Sequence, residues 1–148
     1  MSLWDGVEIV DHEGKKHNAA EVLKDKVVAL YFSAGWCGPC RAFTPKLKRF
    51  YESLKKTGKN FEVVWISRDR EAEDLLEYYN DHHGPWYYLE FGNPLINEWL
   101  TKYEVKTIPA FKVVNWEGKT VANNARSEVV DRGLDEPEEL FEEWCAFM

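Results

Sequence analysis

Six consecutive apolar residues, Val27-Val28-Ala29-Leu30-Tyr31-Phe32, run almost directly into Trp36-Cys37-Gly38-Pro39-Cys40, and a stretch of helical spacing follows from Arg41 to Lys56. An apolar run without polar alternation predicts a strand covered on both faces, as at the centre of a sheet. The segment behind it carries Phe43, Leu47, Phe50 and Leu54 at spacings of four, three and four, which is one core-facing helical stripe. The two cysteines therefore sit on a strand-to-helix turn. Cys37 lies just ahead of a helix N-terminus, where free backbone N–H groups and the helix dipole favour negative charge. A thiolate is easier to form there, and the thiolate is the nucleophile of thiol–disulfide exchange. Cys40 falls in the first helical turn, close enough to close a small ring with Cys37. Pro39 suits that turn because its missing N–H has no intrahelical partner to lose.

Half of a zinc site is the other reading of such a pair. A structural zinc needs about four Cys or His ligands. The chain offers only one further cysteine, Cys145, and its adjacent His82 and His83 point their side chains apart. No second C-x-x-C and no H-x3-5-H is present, so no metal ligand is assigned. A purely structural disulfide is also disfavoured, because a short loop restricts the unfolded chain least. A reversible dithiol/disulfide couple remains.

The stretch YFSAGWCGPCRAFTPKLKRF resembles the active-site segment of the thioredoxin superfamily, and a second match, Val105-Lys106-Thr107-Ile108-Pro109-Ala110-Phe111, lies about seventy residues on. The words YFSAGWC, FTPKL and FEVVWISRD resemble the tryparedoxin and nucleoredoxin branch in particular. The resemblance spans roughly residues 5 to 145. It implies an α/β thioredoxin-like fold: a central mixed β-sheet flanked by α-helices on both faces. A length of 148 residues is that of one ordinary domain, so a single domain is expected over residues 1–148. The resemblance implies that Pro109 is cis and faces the dithiol, with the Ile108 backbone free to pair with an extended substrate. It also implies a reductive poise, through the Gly38-Pro39 dipeptide shared with thioredoxins (about −270 mV, against about −120 mV for a strongly oxidising member of the fold). One position departs from the thioredoxin pattern. Six residues before the first cysteine, where thioredoxins hold a buried aspartate that assists proton transfer at the second thiol, this chain has Tyr31, which reads as a core aromatic.

The assignments follow. Cys37 and Cys40 are the catalytic pair, Cys37 being the more exposed nucleophile. Trp36, Gly38, Pro39, Ile108 and Pro109 are the substrate-contacting residues, with Trp36 an apolar platform beside the sulfur. No bound cofactor is required, since the electrons reside on the Cys37–Cys40 pair; an external thiol or reductase supplies them. The expected partners are disulfide-containing protein substrates and that electron donor. The net charge of −7, with no Lys/Arg-rich block, argues against nucleic acid and against an anionic membrane surface. No apolar run approaches the ~20 residues of a membrane span, and the first six residues lack the features of a signal peptide. A cytoplasmic setting is expected, with the nucleus also open. Three cysteines there fit one redox pair and a spare thiol. Cys145 reads as a small buried apolar group, against a regulatory thiol. The function read here is a protein-disulfide reductase. The alternative is a redox-sensitive protein-binding module, nucleoredoxin-like, with little general turnover. A disulfide oxidase or isomerase shares the residues but needs an oxidising compartment.

Elsewhere the pattern predicts short strands at 7–10 and 15–17, a short helix from Asn18 to Leu23, a buried strand from Phe61 to Ser67, and an acidic helix from Glu71 to Tyr79 with Leu75, Leu76 and Tyr79 inward. It continues with an aromatic extended piece from Trp86 to Phe91, a helix opening near Asn93 or Pro94, and a hairpin from Ala110 to Ala122. A final helix from about Glu136 turns Leu140, Phe141, Trp144 and Phe147 inward, with a solvated acidic face. Pro45 is expected to kink the helix after the cysteines.

Overall fold

The computed structural model describes residues 2–148. Its centre is the strand that the apolar run announces, β3 (Val27–Ser33), buried at all seven positions. It is preceded by β1 (Glu8–Val10), β2 (Lys16–Asn18) and the short helix α1 (Ala19–Val22). Asn18 caps α1, its side-chain oxygen accepting from Ala20 N at 3.0 Å. After β3 come α2 (Gly38–Lys56), β4 (Phe61–Ser67), α3 (Ala72–His82), β5 (Tyr87–Tyr88), α4 (Leu95–Lys102), β6 (Ala110–Val114), β7 (Thr120–Ala122), α5 (Ala125–Arg132) and α6 (Pro137–Cys145). One seven-stranded mixed sheet runs in the order β2-β1-β5-β4-β3-β6-β7. β3 pairs in parallel with β4 and antiparallel with β6, so α2 is the crossover of a βαβ unit.

Alternation along β3 divides the core in two. Val27, Ala29 and Tyr31 join Phe43, Leu47, Phe50 and Leu54 of α2, with α3, α5 and α6, on one face. Val28, Leu30 and Phe32 join Leu23, next to α1, Trp99 of α4 and Trp4 on the other. Helices thus cover both faces, as the resemblance implied. Helix α2 runs through Pro45 to Lys56 and stops at Gly58, whose φ of 76° opens the left-handed turn. There Lys59 N donates to Leu54 O at 2.9 Å and Gly58 N to Lys55 O at 3.1 Å, a Schellman closure.

The structure departs from the sequence reading at particular places. Helix α3 continues to His82, past the expected end at Tyr79. Leu76, expected inward, is 44% exposed, and Tyr78 is buried in its place. With 100° between successive helical residues, Leu75 is compatible with either face, and packing against α2 selects Tyr78 and Tyr79. Helix α5 was not anticipated, since it turns only Ala125 and Val129 into the core. Phe147 was expected inward but lies beyond the end of α6 and is 69% exposed. The aromatic piece supplies only the two-residue β5. Cys145 is half-buried, and burial, then Glu142, push its thiol pKa up. The acidic face of α6 is engaged as well as solvated: Glu142 lies 3.5 Å from Lys59 and Glu143 2.8 Å from Arg132.

Leu30 is fully buried in the central strand. Replacing it with alanine should cost about 2–5 kcal/mol, through lost burial and a residual cavity. Chemical denaturation with an unchanged m-value is the measurement, and a loss under 1 kcal/mol would show that the two sheet faces are not packed as described.

Candidate active site

The carboxyl end of β3 hands the chain to the turn Ala34-Gly35-Trp36, and Cys37 becomes the N-cap of α2. Its backbone is extended (φ −93°, ψ 114°), and its sulfur takes the place of the usual capping oxygen, accepting from Cys40 N at 3.2 Å. Pro39 sits at the second helical position, where no N–H is needed. Cys37 and Cys40 are disulfide-bonded, with Cα atoms 5.2 Å apart. Cys37 keeps 6% exposure and Cys40 none, so attack from outside can reach only the first sulfur. The second lip of the site is the Ile108–Pro109 segment, whose peptide bond is cis. Ile108 O lies 3.7 Å from Cys37 Sγ, within reach of the thiol in the reduced state. Trp36 projects from the opposite lip with 59% of its surface exposed. The structure thus brings Trp36, Cys37, Gly38, Pro39, Cys40, Ile108 and Pro109 together at the carboxyl end of β3.

Several residues that hold this arrangement were not singled out in the sequence. Asp69, two residues past the end of β4, accepts from Gly35 N at 2.9 Å through one oxygen and from Ser67 Oγ at 2.6 Å through the other. Its position past a parallel strand neighbouring β3 is the only sequence signal that could have found it. Gly35 is wedged there: a Cβ would come within 3.1 Å of Tyr78 Cβ. Arg41 Nε donates to Gly35 O, and its guanidinium lies over the Tyr78 ring at 5.2 Å. Gly35, Trp36, Arg41, Asp74, Glu77, Tyr78 and His82 line an open cleft of about 260 Å³ beside the turn.

Beneath the dithiol is a buried set of hydroxyls. Thr44, one helical turn after Cys40, donates to Cys40 O at 2.9 Å. Its oxygen lies 2.6 Å from Tyr31 Oη and 2.7 Å from Tyr78 Oη, so the two phenols donate to it. Burial raises the Tyr31 pKa well above its ordinary value, with Tyr78 adding to the effect. Tyr31 therefore stays a neutral phenol and positions the first turn of α2. It does not replace an aspartate as a base.

His83 is enclosed with this network. Its ring stacks near Tyr31, with centroids 5.9 Å apart, and lies 4.1 Å from Trp65 and 4.6 Å from Tyr78. Trp86 Nε1 donates to its Nδ1 at 3.1 Å. A neutral ring then carries its proton on Nε2, which has no conventional hydrogen-bond partner among the described residues, only aromatic faces around it. Burial, followed by the charges of His82 and Lys48, holds its pKa well below 6.5.

The profile of the thioredoxin-like family matches residues 25–120, which include both cysteines and the cis proline. The chain belongs to the thioredoxin-like family. It is 42% identical over 113 residues to a probable nucleoredoxin 1 of Arabidopsis thaliana, covering 76% of this chain and 19% of that protein. It is 40% identical over 111 residues to a tryparedoxin of Trypanosoma brucei brucei, covering 74% of this chain and 75% of that one. Among solved structures, a thioredoxin from Wuchereria bancrofti superposes with a TM-score of 0.85 at 37% identity, over 99% of each chain. The chain thus spans about a fifth of the nucleoredoxin and three quarters of the tryparedoxin. No helix among the described residues is long and apolar enough to cross a membrane.

Two measurements test this geometry. Tyr31→Phe removes one donor from Thr44 and should cost about 1 kcal/mol of stability, leaving the reactivity of Cys37 unchanged; a large loss of Cys37 alkylation rate would assign the phenol a chemical role. His83 sets a pH dependence. In the unfolded chain the imidazole binds a proton below about pH 6.5, whereas the folded site resists protonation. The unfolded state then holds more protons, so stability is full above pH 6.5 and falls as pH drops below it, by up to ~1.4 kcal/mol per pH unit. His83→Phe should flatten denaturation midpoints between pH 6.5 and 5, and an unchanged slope would contradict the buried neutral ring.

Proposed function

We propose that the protein is a thiol–disulfide oxidoreductase that reduces disulfides of protein clients. The observation that carries this reading is the asymmetry of the Cys37–Cys40 pair at the N-terminus of α2: Cys37 keeps a small opening to solvent between Trp36 and Ile108, and Cys40 has none. In the reduced form the Cys37 thiolate attacks one sulfur of a client disulfide. A Cys37–client disulfide forms, the client S–S bond breaks, and the departing client thiolate takes a proton. Cys40, deprotonated, then attacks Cys37 Sγ. The second client sulfur leaves as a thiolate, and the internal disulfide closes. Two electrons have passed to the client, and an external thiol or a reductase returns them.

Each residue has a physical task in this scheme. The Cys40 N–H, 3.2 Å from Cys37 Sγ, stabilises the negative charge of the attacking Cys37 thiolate in the reduced form. Thr44, Tyr31 and Asp69 keep the turn from shifting between the two steps. The Ile108 carbonyl and cis-Pro109 present an edge on which an extended client strand can lie. No bound cofactor takes part.

Insulin-disulfide reduction with dithiothreitol as electron source tests the reading. Wild type should accelerate the reaction, Cys37→Ser should lose the acceleration by 100-fold or more (of order), and Cys40→Ser should accumulate a mixed disulfide. A wild type no faster than dithiothreitol alone would reject general reductase activity. The exposed Trp36 would then favour the redox-sensitive binding module, with the Cys40→Ser protein as its trap.

A further inference from the structure

We propose that the Trp36 lip selects clients whose cysteine is flanked by acidic and apolar side chains, through Arg68, Arg70 and the exposed Phe91 in the cleft beside them. This rests on the oxidoreductase reading and adds the client chemistry. The indole of Trp36 does not stand alone: its Nε1 donates to Arg68 O at 3.3 Å, and the Arg70 guanidinium lies over the ring, 5.8 Å from its centroid. An exposed aromatic immediately before the nucleophile therefore carries a cation on its face. Arg68 and Arg70 are both exposed, and neither forms an ion pair among the described residues.

The neighbouring carboxylates do not neutralise this lip by direct pairing. Asp69, between the two arginines, turns inward and spends its oxygens on Gly35 N and Ser67 Oγ. Asp74 and Glu77 line the cleft that Trp36 shares with Arg41 and His82, and neither pairs with Arg68 or Arg70 among the described residues. On the Arg68 side a second cleft of about 260 Å³ is mixed: Phe91, Pro94 and Ile96 border it together with Ser67, Asp69, Asn93 and Asn97, and Phe91 is 40% exposed. A chain of net charge −7 thus presents two unpaired cations and an exposed aromatic ring beside Trp36, the residue that precedes Cys37. A carboxylate on the client would meet the guanidinium groups, and an apolar neighbour would cover Phe91. Complementarity of this kind acts mainly on encounter rate and is weakened by salt.

The test uses two symmetrical peptide disulfides, one with Glu and Phe flanking each cysteine and one with Lys and Phe. Each is mixed with the reduced protein in stopped flow, and each rate is divided by that peptide's rate with dithiothreitol, which corrects for the intrinsic reactivity of the disulfide. The acidic peptide should react about fivefold faster at low ionic strength, and the preference should vanish in 0.5 M salt (a Debye length of about 4 Å). Arg68→Glu/Arg70→Glu should invert it. Equal normalised rates with wild type, or a preference unchanged in the double variant, overturn this inference and leave the oxidoreductase reading intact. No reaction with either peptide overturns both.

Discussion

Burial of β3 on both faces is the constraint on which the rest of the structure depends. A strand with core on each side cannot shift register without exposing one set of side chains. Its seven buried residues are held in parallel by β4 and antiparallel by β6. The carboxyl end of that strand is consequently a fixed point, and the reactive pair is placed only four residues beyond it. Helix α2 adds the second constraint. It packs Phe43, Leu47, Phe50 and Leu54 against one face of the sheet, so its N-terminus, and the cap at Cys37, cannot drift.

The site then combines an exposed reacting edge with a rigid, neutral floor. Beneath the dithiol, Thr44, Tyr31 and Tyr78 satisfy one another and the Cys40 carbonyl. Such a closed set of hydrogen bonds avoids the cost of a buried unpaired group. Tyr31 and His83 both stay uncharged there, the phenol because burial raises its pKa and the imidazole because burial lowers its own. A neutral floor suits the proposed exchange, whose working charge is a Cys37 thiolate, because no buried ion competes for the helix N-terminus. The exposed edge is divided between Trp36 with its arginine lip and the Ile108–Pro109 segment, which together define the approach to Cys37.

The chain by itself determined the features that depend on local order. Apolar continuity marked β3 and β4, and the four-three-four spacing marked the buried stripe of α2, because each is decided by neighbours within one or two turns. The cysteine spacing and its strand-to-helix setting placed the Cys37–Cys40 pair at the start of α2 for the same reason. The resemblance supplied what local order does not contain, above all the cis bond at Pro109. Tertiary structure alone decided the rest. Asp69 reaches Gly35 across 34 residues, and Tyr78 reaches Thr44 across the same span; no periodicity encodes such pairs. The choice of Tyr78 over Leu76 on α3 was made by the surface that α2 offers, since both faces of that helix carried apolar residues. Helix α5 was hidden because only Ala125 and Val129 point inward, too thin a stripe to read as amphipathic. His83 was given no role by the sequence and became a neutral core residue only when Trp65, Tyr78 and Trp86 closed around it, because desolvation is a property of the packed environment and not of the residue.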